Sequence, residues 1–389
     1  MYSFFGKRLR RRPHAGARRC WHDRGMTPAT MFAVLLTGHG GYDRLEWRED
    51  VPVPAVRDDE VLIRIGAAGV NNTDINTRTA WYSRAVTEGT TPDAAARGLD
   101  AARAADSGWT GTPLEFPRIQ GADACGRILA VGRGVAASRI GERVLVEPVF
   151  RTSAARDPRG AIYFGSECDG AFAEFARVPA RHAHRIDSPL DDAELASFPC
   201  AYSAAENMLT RAGLSGGETV LVTGASGGVG SAAVQLARRR GASVVAIADP
   251  AKAAELERLG AARTLARDAN LLDALGPEAV DVVVDVVGGR AFGSLLDVLV
   301  RGGRYATAGA IAGPVVELDL RTLYLKDLRL LGCTVLEPEV FPNLVGAIER
   351  GEIRPLVAAR YPLSRIVDAQ RAFLEKRHVG KIVLVPPST

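Results

Sequence analysis

The chain has 389 residues, 47% of them hydrophobic and 24% charged, a composition of ordinary globular proteins. That length exceeds what one hydrophobic core usually supports, so two domains are expected. The net charge of +4 is misleading: residues 1–30 hold +7 of it and leave −3 for the rest, which excludes a nucleic-acid-binding body, and no apolar run is long enough to span a bilayer.

Residues 1–30 are Arg-rich and acid-poor and lack the apolar stretch of a secretory signal. On paper the composition also suits a transit peptide. Met26 and Met31 both precede the first strand-like run, "MFAVLL", so the simpler expectation is an over-extended start and a disordered basic extension. From 31 to about 185 the pattern is short strands and turns. "EVLIRIGAAGV", "CGRILAVGRGV" and "GERVLVEPV" are β-rich, and helical stretches are few. The polar, Ala/Gly-rich segment 84–116 interrupts this lobe. A loop of that length is usually functional or disordered. Five widely spaced cysteines with no CxxC pair support neither a disulfide framework nor a structural zinc knuckle, and a reducing cytoplasm is the expected location.

From about 200 strands and helices alternate. "ETVLVTG", "ASVVAIAD", "VDVVVDVVGG", "GGRYATAGA" and "LRLLGCTV" are apolar, β-branched runs, and the second, third and fourth are almost uninterrupted, as strands buried on both faces should be. Between the first two, Val229, Ala232, Ala233, Leu236 and Ala237 share one helical face. The alternation implies a doubly wound parallel sheet, hence an α/β fold. After about 337 the chain is too short for its own core and is expected to rejoin the first lobe. The expected division is 1–30 extension, 31–195 first lobe, 196–336 parallel-sheet domain and 337–389 return.

The stretch "LVTGASGGVG" joins the first of those strands to that helix. Glycines let backbone N–H groups approach a pyrophosphate, and the helix N-terminus adds free donors and partial positive charge. Ala225 takes the first glycine position of the dinucleotide fingerprint, with Gly227 and Gly230 at the others and Gly224 and Gly228 added; Ser226 and Val229 complete the loop. The next strand ends at Asp249, where an acidic side chain would meet the adenosine ribose. Asp249 favours NAD(H), since a carboxylate repels a 2′-phosphate. Lys252 and Arg267 could pair with that phosphate and favour NADP(H), so the residues leave the choice open.

With the loop and "AVLLTGHGGYDRLEWREDVPVP", "GVNNTDINTR", "GERVLVEP", "DGAFAEFARVP" and "HVGKIVL", the chain from 31 to 389 resembles medium-chain dehydrogenases/reductases, in the zinc-independent quinone-oxidoreductase-like branch. The resemblance implies a GroES-like β-rich catalytic domain, a Rossmann domain binding NADP(H) or NAD(H), hydride transfer between them, and a homodimer or homotetramer. It sets Asn71 and Ala122 in two zinc-ligand columns and Cys200 in the third. One ligand of three does not make a catalytic zinc site, so no metal is expected.

Without zinc, an alkoxide or enolate needs hydrogen-bond donors. Asn71, Thr73, Asn76 and Tyr82 are the candidates, with Thr73 in the resemblance's proton-relay position and Asn76 where quinone-reductase relatives often carry a tyrosine. Arg78 is a candidate structural partner for Asp74. The resemblance sets Gly309 and Ala310 beside the nicotinamide, with Asp285 and Val287 ending an earlier strand on the same edge, and Lys381 is either directed at the cofactor or a surface charge. The expected function is a zinc-independent NAD(P)H-dependent oxidoreductase acting on a quinone, enone, aldehyde or small alcohol, with no membrane or nucleic-acid partner. The alternatives are a cofactor-binding structural or redox-sensing protein, or an alcohol dehydrogenase with atypical metal ligands.

Overall fold

The computed structural model describes residues 28–151 and 160–387; most of the basic extension, including Cys20, lies outside the described residues. Two sheets dominate. The second lobe holds six parallel strands in the order Arg263–Leu265, Ser243–Ile247, Thr219–Val222, Val280–Asp285, Leu299–Thr307, Arg329–Gly332. This is the doubly wound Rossmann arrangement. Val220, Leu221 and Val222 of its first strand and Val282, Val283 and Val284 of its neighbour are fully buried, because helices cover both faces. The crevice at the carboxyl ends of those two strands is where such a sheet receives its ligand.

The first lobe is a β-rich body on a bent strand, Glu60–Gly69, which pairs antiparallel with Cys125–Val131 and Phe175–Pro179. The tail rejoins this sheet. Val383 pairs with Gly69 and Leu384 with Ala68, and Val70 N–H donates to Ile382 O at 2.9 Å. That register carries Lys381 back beside Asn71. The helix Asn72–Thr79 follows directly.

Segment 84–116 is folded. It contains a helix Pro92–Arg97, capped by the Thr91 side chain, and reaches across to the second lobe, where Thr90 N–H donates to Ile311 O at 2.9 Å. Arg78, fully buried, ties it down through Ala95 O (2.8 Å), Gly40 O (2.9 Å) and the Gln370 carboxamide. The expected pairing of Arg78 with Asp74 is therefore wrong. Three oxygens from the N-terminal segment, the insert and the tail use up its guanidinium. Among the described residues no helix is long and apolar enough to cross a membrane, and the four described cysteines are free.

Candidate active site

Three pieces of chain converge between the lobes: the glycine turn, the start of the helix Asn72–Thr79, and the start of the tail strand Lys381–Val385. Gly224 has φ +56°, a left-handed conformation that suits glycine, and a Cβ on Gly230 would lie 2.2 Å from Gly224 O. The helix Gly228–Arg239 thus packs directly onto the turn. The N–H groups of Gly228, Val229 and Gly230 have no backbone acceptor, while Gly227 N–H is spent inside the loop on Gly224 O and Ala225 N–H on Ile247 O of the neighbouring strand. A row of free donors at the head of a 12-residue helix fits a pyrophosphate.

The flanking turns are pinned by Asp285. Fully buried, it accepts from Thr223 Oγ1, Tyr305 OH, Val287 N–H (2.8 Å) and Gly288 N–H. Val287 then stands beside Gly224, and Ala310 packs on Gly288, with Gly309 O accepting from Thr307 Oγ1. The structure thus gathers Val287, Gly309 and Ala310 at the edge of the glycine turn, where the insert also lands through Ile311.

Positive charge collects on the other flank. Asp249 Oδ1 accepts from Ala251 N–H and caps a short turn. Lys252 Nζ is directed at protein oxygens: Lys376 O, His378 O (3.0 Å) and Ser226 Oγ. Burial and then Arg267 lower its pKa. Lys376 lies over the Phe373 ring at 3.7 Å; burial, then the Lys252 charge, pull its pKa down to about 8. His378 is depressed to about 4 by burial and by Lys376, Lys252 and Lys381. Lys376 and His378 were missed in the sequence, although "EKRHVGK" is visibly basic next to Lys381.

On the helix Asn72–Thr79, Tyr82 OH donates to Thr73 Oγ1 at 3.0 Å, and the Asn76 side chain also hydrogen-bonds the phenol. Asn76 Oδ1 is held in turn by Thr90 Oγ1 (2.8 Å) and Asn72 Nδ2 (3.3 Å). The phenol absent from position 76 is thus brought to the same network by Tyr82. Burial raises the Tyr82 pKa, keeping the phenol protonated. Tyr82 stacks on Trp109 of the insert (5.9 Å), which leans on Tyr163 (4.0 Å); Trp81 is edge-on to Tyr82 and donates to Glu88 O at 2.8 Å.

Below this network is a buried polar cluster. Lys381 is 2% exposed, and its Nζ donates to Asp123 Oδ2 (2.7 Å), Val70 O (3.0 Å) and Asn71 Oδ1. Asn71 Nδ2 donates to Asp123 Oδ2 (2.7 Å) and Gly69 O (3.4 Å), and Cys200 N–H donates to Asp123 Oδ1 (2.6 Å). Asp74 accepts from Asn71 N–H at 2.7 Å; burial pushes it up to about 7 against that bond. Two expectations change here. Asn71 has no amide hydrogen left for a substrate, since all its polar atoms serve the cluster. Lys381 is not a surface charge, and its ammonium is aimed at Asp123. Cys125 points elsewhere, its Sγ 3.6 Å from Asp192 Oδ1. Among the described residues no three His, Cys, Asp or Glu side chains converge as a metal site.

Residues 57–188 match the family model "Alcohol dehydrogenase GroES-like domain", and residues 228–350 match "Zinc-binding dehydrogenase". A solved Sinorhizobium meliloti 1021 structure with a provisional alcohol dehydrogenase name is 48% identical, with TM-score 0.83, covering 93% of this chain and 98% of that one. Acryloyl-coenzyme A reductase of Metallosphaera sedula is 29% identical, over 91% of this chain and 99% of its own length. Human quinone oxidoreductase is 26% identical, over 91% and 98%.

Proposed function

The chain belongs to the medium-chain dehydrogenase/reductase superfamily, in its quinone-oxidoreductase-like branch, and is an NAD(P)-dependent oxidoreductase; on that premise we propose that it reduces a conjugated carbonyl, an enone or quinone, with NADP(H) and without zinc. The observation that carries the reading is the donor set: the Thr73 hydroxyl accepts from Tyr82 OH at 3.0 Å, beside Asn71 rather than a zinc-ligating cysteine. The zinc that one matching model's name implies does not fit the residues present, because Asn71 and Ala122 are not ligands at two of the three columns. An unactivated carbonyl needs a strong electrophile. A conjugated acceptor spreads its developing negative charge, so a hydroxyl donor is a sufficient partner.

The bound nicotinamide supplies the hydride. The free N–H groups of Gly228, Val229 and Gly230 would hold the pyrophosphate, and Val287, Gly309 and Ala310 would border the ring. The aromatic wall of Tyr82, Trp109 and Tyr163, with the insert latched to Ile311, would keep water from the acceptor. Thr73 would supply the proton, and Tyr82 would replenish it. The deciding experiment is a turnover panel of enones, quinones, aldehydes and alcohols with NADPH and NADH, alongside metal analysis. Turnover confined to unconjugated alcohols, or dependent on stoichiometric zinc, would refute the proposal. Binding without turnover of any acceptor would favour the sensing alternative.

NADP(H) is favoured because Lys252, Lys376 and Arg267 crowd the flank where Asp249 stands, and an anion would relieve their mutual repulsion. Lys376→Ala is expected to weaken NADPH binding about 10-fold and to leave NADH nearly unchanged. The sign with pH follows. Lys376, near 8 when free, is charged below that pH, so the NADPH dissociation constant is flat below about 8 and rises above it, whereas that of NADH does not. Isothermal titration at several pH values checks both.

The edge strand Arg329–Gly332 and its surroundings expose Leu330 (40%), Leu320 (64%), Tyr324 (62%) and Leu325 (56%). An open strand flanked by apolar side chains suits a second copy of the same edge. We propose a homodimer through it. Leu320→Asp with Tyr324→Asp should yield monomers by light scattering; an unchanged mass would exclude this edge.

A further inference from the structure

We propose that Thr90 is a positioning residue for proton delivery: this residue of the insert fixes the direction of the Tyr82–Thr73 hydrogen bond and ties it to the docking of the two lobes. The inference rests on the Thr73 relay above and extends it from the relay itself to what holds it in register.

The Asn76 carboxamide offers an acceptor at one end and donors at the other. Two donors hold its oxygen, Thr90 Oγ1 at 2.8 Å and Asn72 Nδ2 at 3.3 Å. The amide nitrogen is therefore the atom left for the Tyr82 phenol, to which the Asn76 side chain is hydrogen-bonded. A phenol that accepts from that nitrogen keeps its own hydrogen for another partner, and Tyr82 OH donates to Thr73 Oγ1 at 3.0 Å. Each bond thus sets the sense of the next, from Thr90 through Asn76 and Tyr82 to Thr73. With its oxygen released, the amide is free to turn over and take the phenol's hydrogen, drawing it away from Thr73.

Thr90 is in turn placed by the second lobe. Its N–H donates to Ile311 O at 2.9 Å. Ile311 lies in a turn closed by Gly313 N–H to Ala310 O (3.0 Å) and fixed to Val287 O by Ala312 N–H (2.8 Å). Val287 and Ala310 are the residues assigned above to the nicotinamide edge. On the other side, Trp81 Nε1 donates to Glu88 O at 2.8 Å, so residues 88–90 form a strap anchored to both lobes. Gly89 permits the close approach, since a Cβ there would collide with Ile311 O and lie 2.9 Å from the Ala312 carbonyl carbon. Thr90 therefore holds the second lobe with its main chain and the relay with its side chain. Separation of the lobes withdraws the hydroxyl from Asn76, so the phenol's hydrogen is directed at Thr73 when the cofactor edge is docked.

Thr90→Val tests this, because it keeps the main-chain bond and the shape and removes the hydroxyl. The full-length enzyme is assayed with NADPH and the fastest acceptor among cyclohexenone, methyl vinyl ketone and benzoquinone. The expected result is a kcat about fivefold lower, with the acceptor KM and the NADPH dissociation constant within about twofold. Thr90→Ser should return kcat to within about twofold of wild type. In a Tyr82→Phe background Thr90→Val should cost less than about twofold more, because no phenol hydrogen remains to be directed. Gly89→Ala leaves every hydrogen-bonding group present but pushes the strap off Ile311, and it should also lower kcat. A Thr90→Val kcat within about twofold of wild type overturns the proposal, as does an undiminished loss in the Tyr82→Phe background or no recovery with serine. A wild-type kcat in Gly89→Ala overturns the tie to the docked lobes. Failure of the relay reading looks different: Thr73→Val itself would then keep wild-type kcat, whereas a slow Thr73→Val beside an unaffected Thr90→Val sinks this proposal alone.

Discussion

Thr73→Val is expected to lower kcat by about 100-fold with little change in the dissociation constant for NADPH. Valine keeps the shape of threonine and removes only the hydroxyl. The proposed reaction assigns proton delivery to Thr73. Tyr82 OH donates to Thr73 Oγ1 at 3.0 Å, and the Asn76 side chain supports the phenol, so the hydrogen on Thr73 is the one directed onward. General acid catalysis by a placed group is usually worth about 10²–10⁴-fold, and the lower end suits a relay that water can partly replace. Tyr82→Phe should cost less, about 10-fold, because Thr73 keeps its hydroxyl and loses only its donor. The double variant should fall well short of the product of the two, since both residues serve one relay. Because burial raises the Tyr82 pKa, its proton stays on through and beyond the usual phenol range, and kcat should show no loss of this donor at mildly alkaline pH. Stopped-flow hydride transfer gives the measurement. A Thr73→Val rate within twofold of wild type would remove Thr73 from the chemistry.

The parallel sheet was legible because burial on both faces writes itself as uninterrupted β-branched runs. Val282–Val284 is such a run, and it is fully buried, as is the apolar Val220–Val222 beside it. The glycine turn was legible because sterics demand its composition: Gly230 leaves no room for a Cβ against Gly224 O. The polar cluster was much less so. Asn71 reads locally as a donor beside Thr73, and nothing within ten residues of it announces Lys381, which is 310 positions away in the chain. Only the strand pairing that joins residue 69 to 383 makes them neighbours. Arg78 failed for the same reason. Asp74 is its helical neighbour by spacing, but the guanidinium is spent on Gly40, Ala95 and Gln370, partners fixed by tertiary structure. Tyr82 lay between these cases. Its aromatic character was plain, yet its role depends on the bend at Ala80, whose φ of 59° turns the chain back toward Thr73.

Asp123→Ala should be among the most damaging single changes in the chain for stability, at about 3–5 kcal/mol. The carboxylate is fully buried and accepts from three donors: Lys381 Nζ, Asn71 Nδ2 and Cys200 N–H. Alanine leaves the Cys200 N–H without an acceptor, takes one acceptor each from Lys381 Nζ and Asn71 Nδ2, and strands a positive charge in a site 2% exposed on the lysine side. The desolvation cost of that charge is what makes removal of one partner expensive, even where the intact pair contributes little net stability. Asp123→Asn keeps the shape and one carbonyl oxygen, so it should lose less than the alanine variant. Pairing it with Lys381→Met removes both charges and should recover much of the loss, because no unpaired ion remains. Guanidinium unfolding followed by tryptophan fluorescence reads the three variants on one scale. All four tryptophans, Trp21, Trp47, Trp81 and Trp109, precede the second lobe, so this signal reads the lobe to which Asp123 and Asn71 belong. A double variant no more stable than Asp123→Ala would mean that the cluster holds by shape rather than by charge.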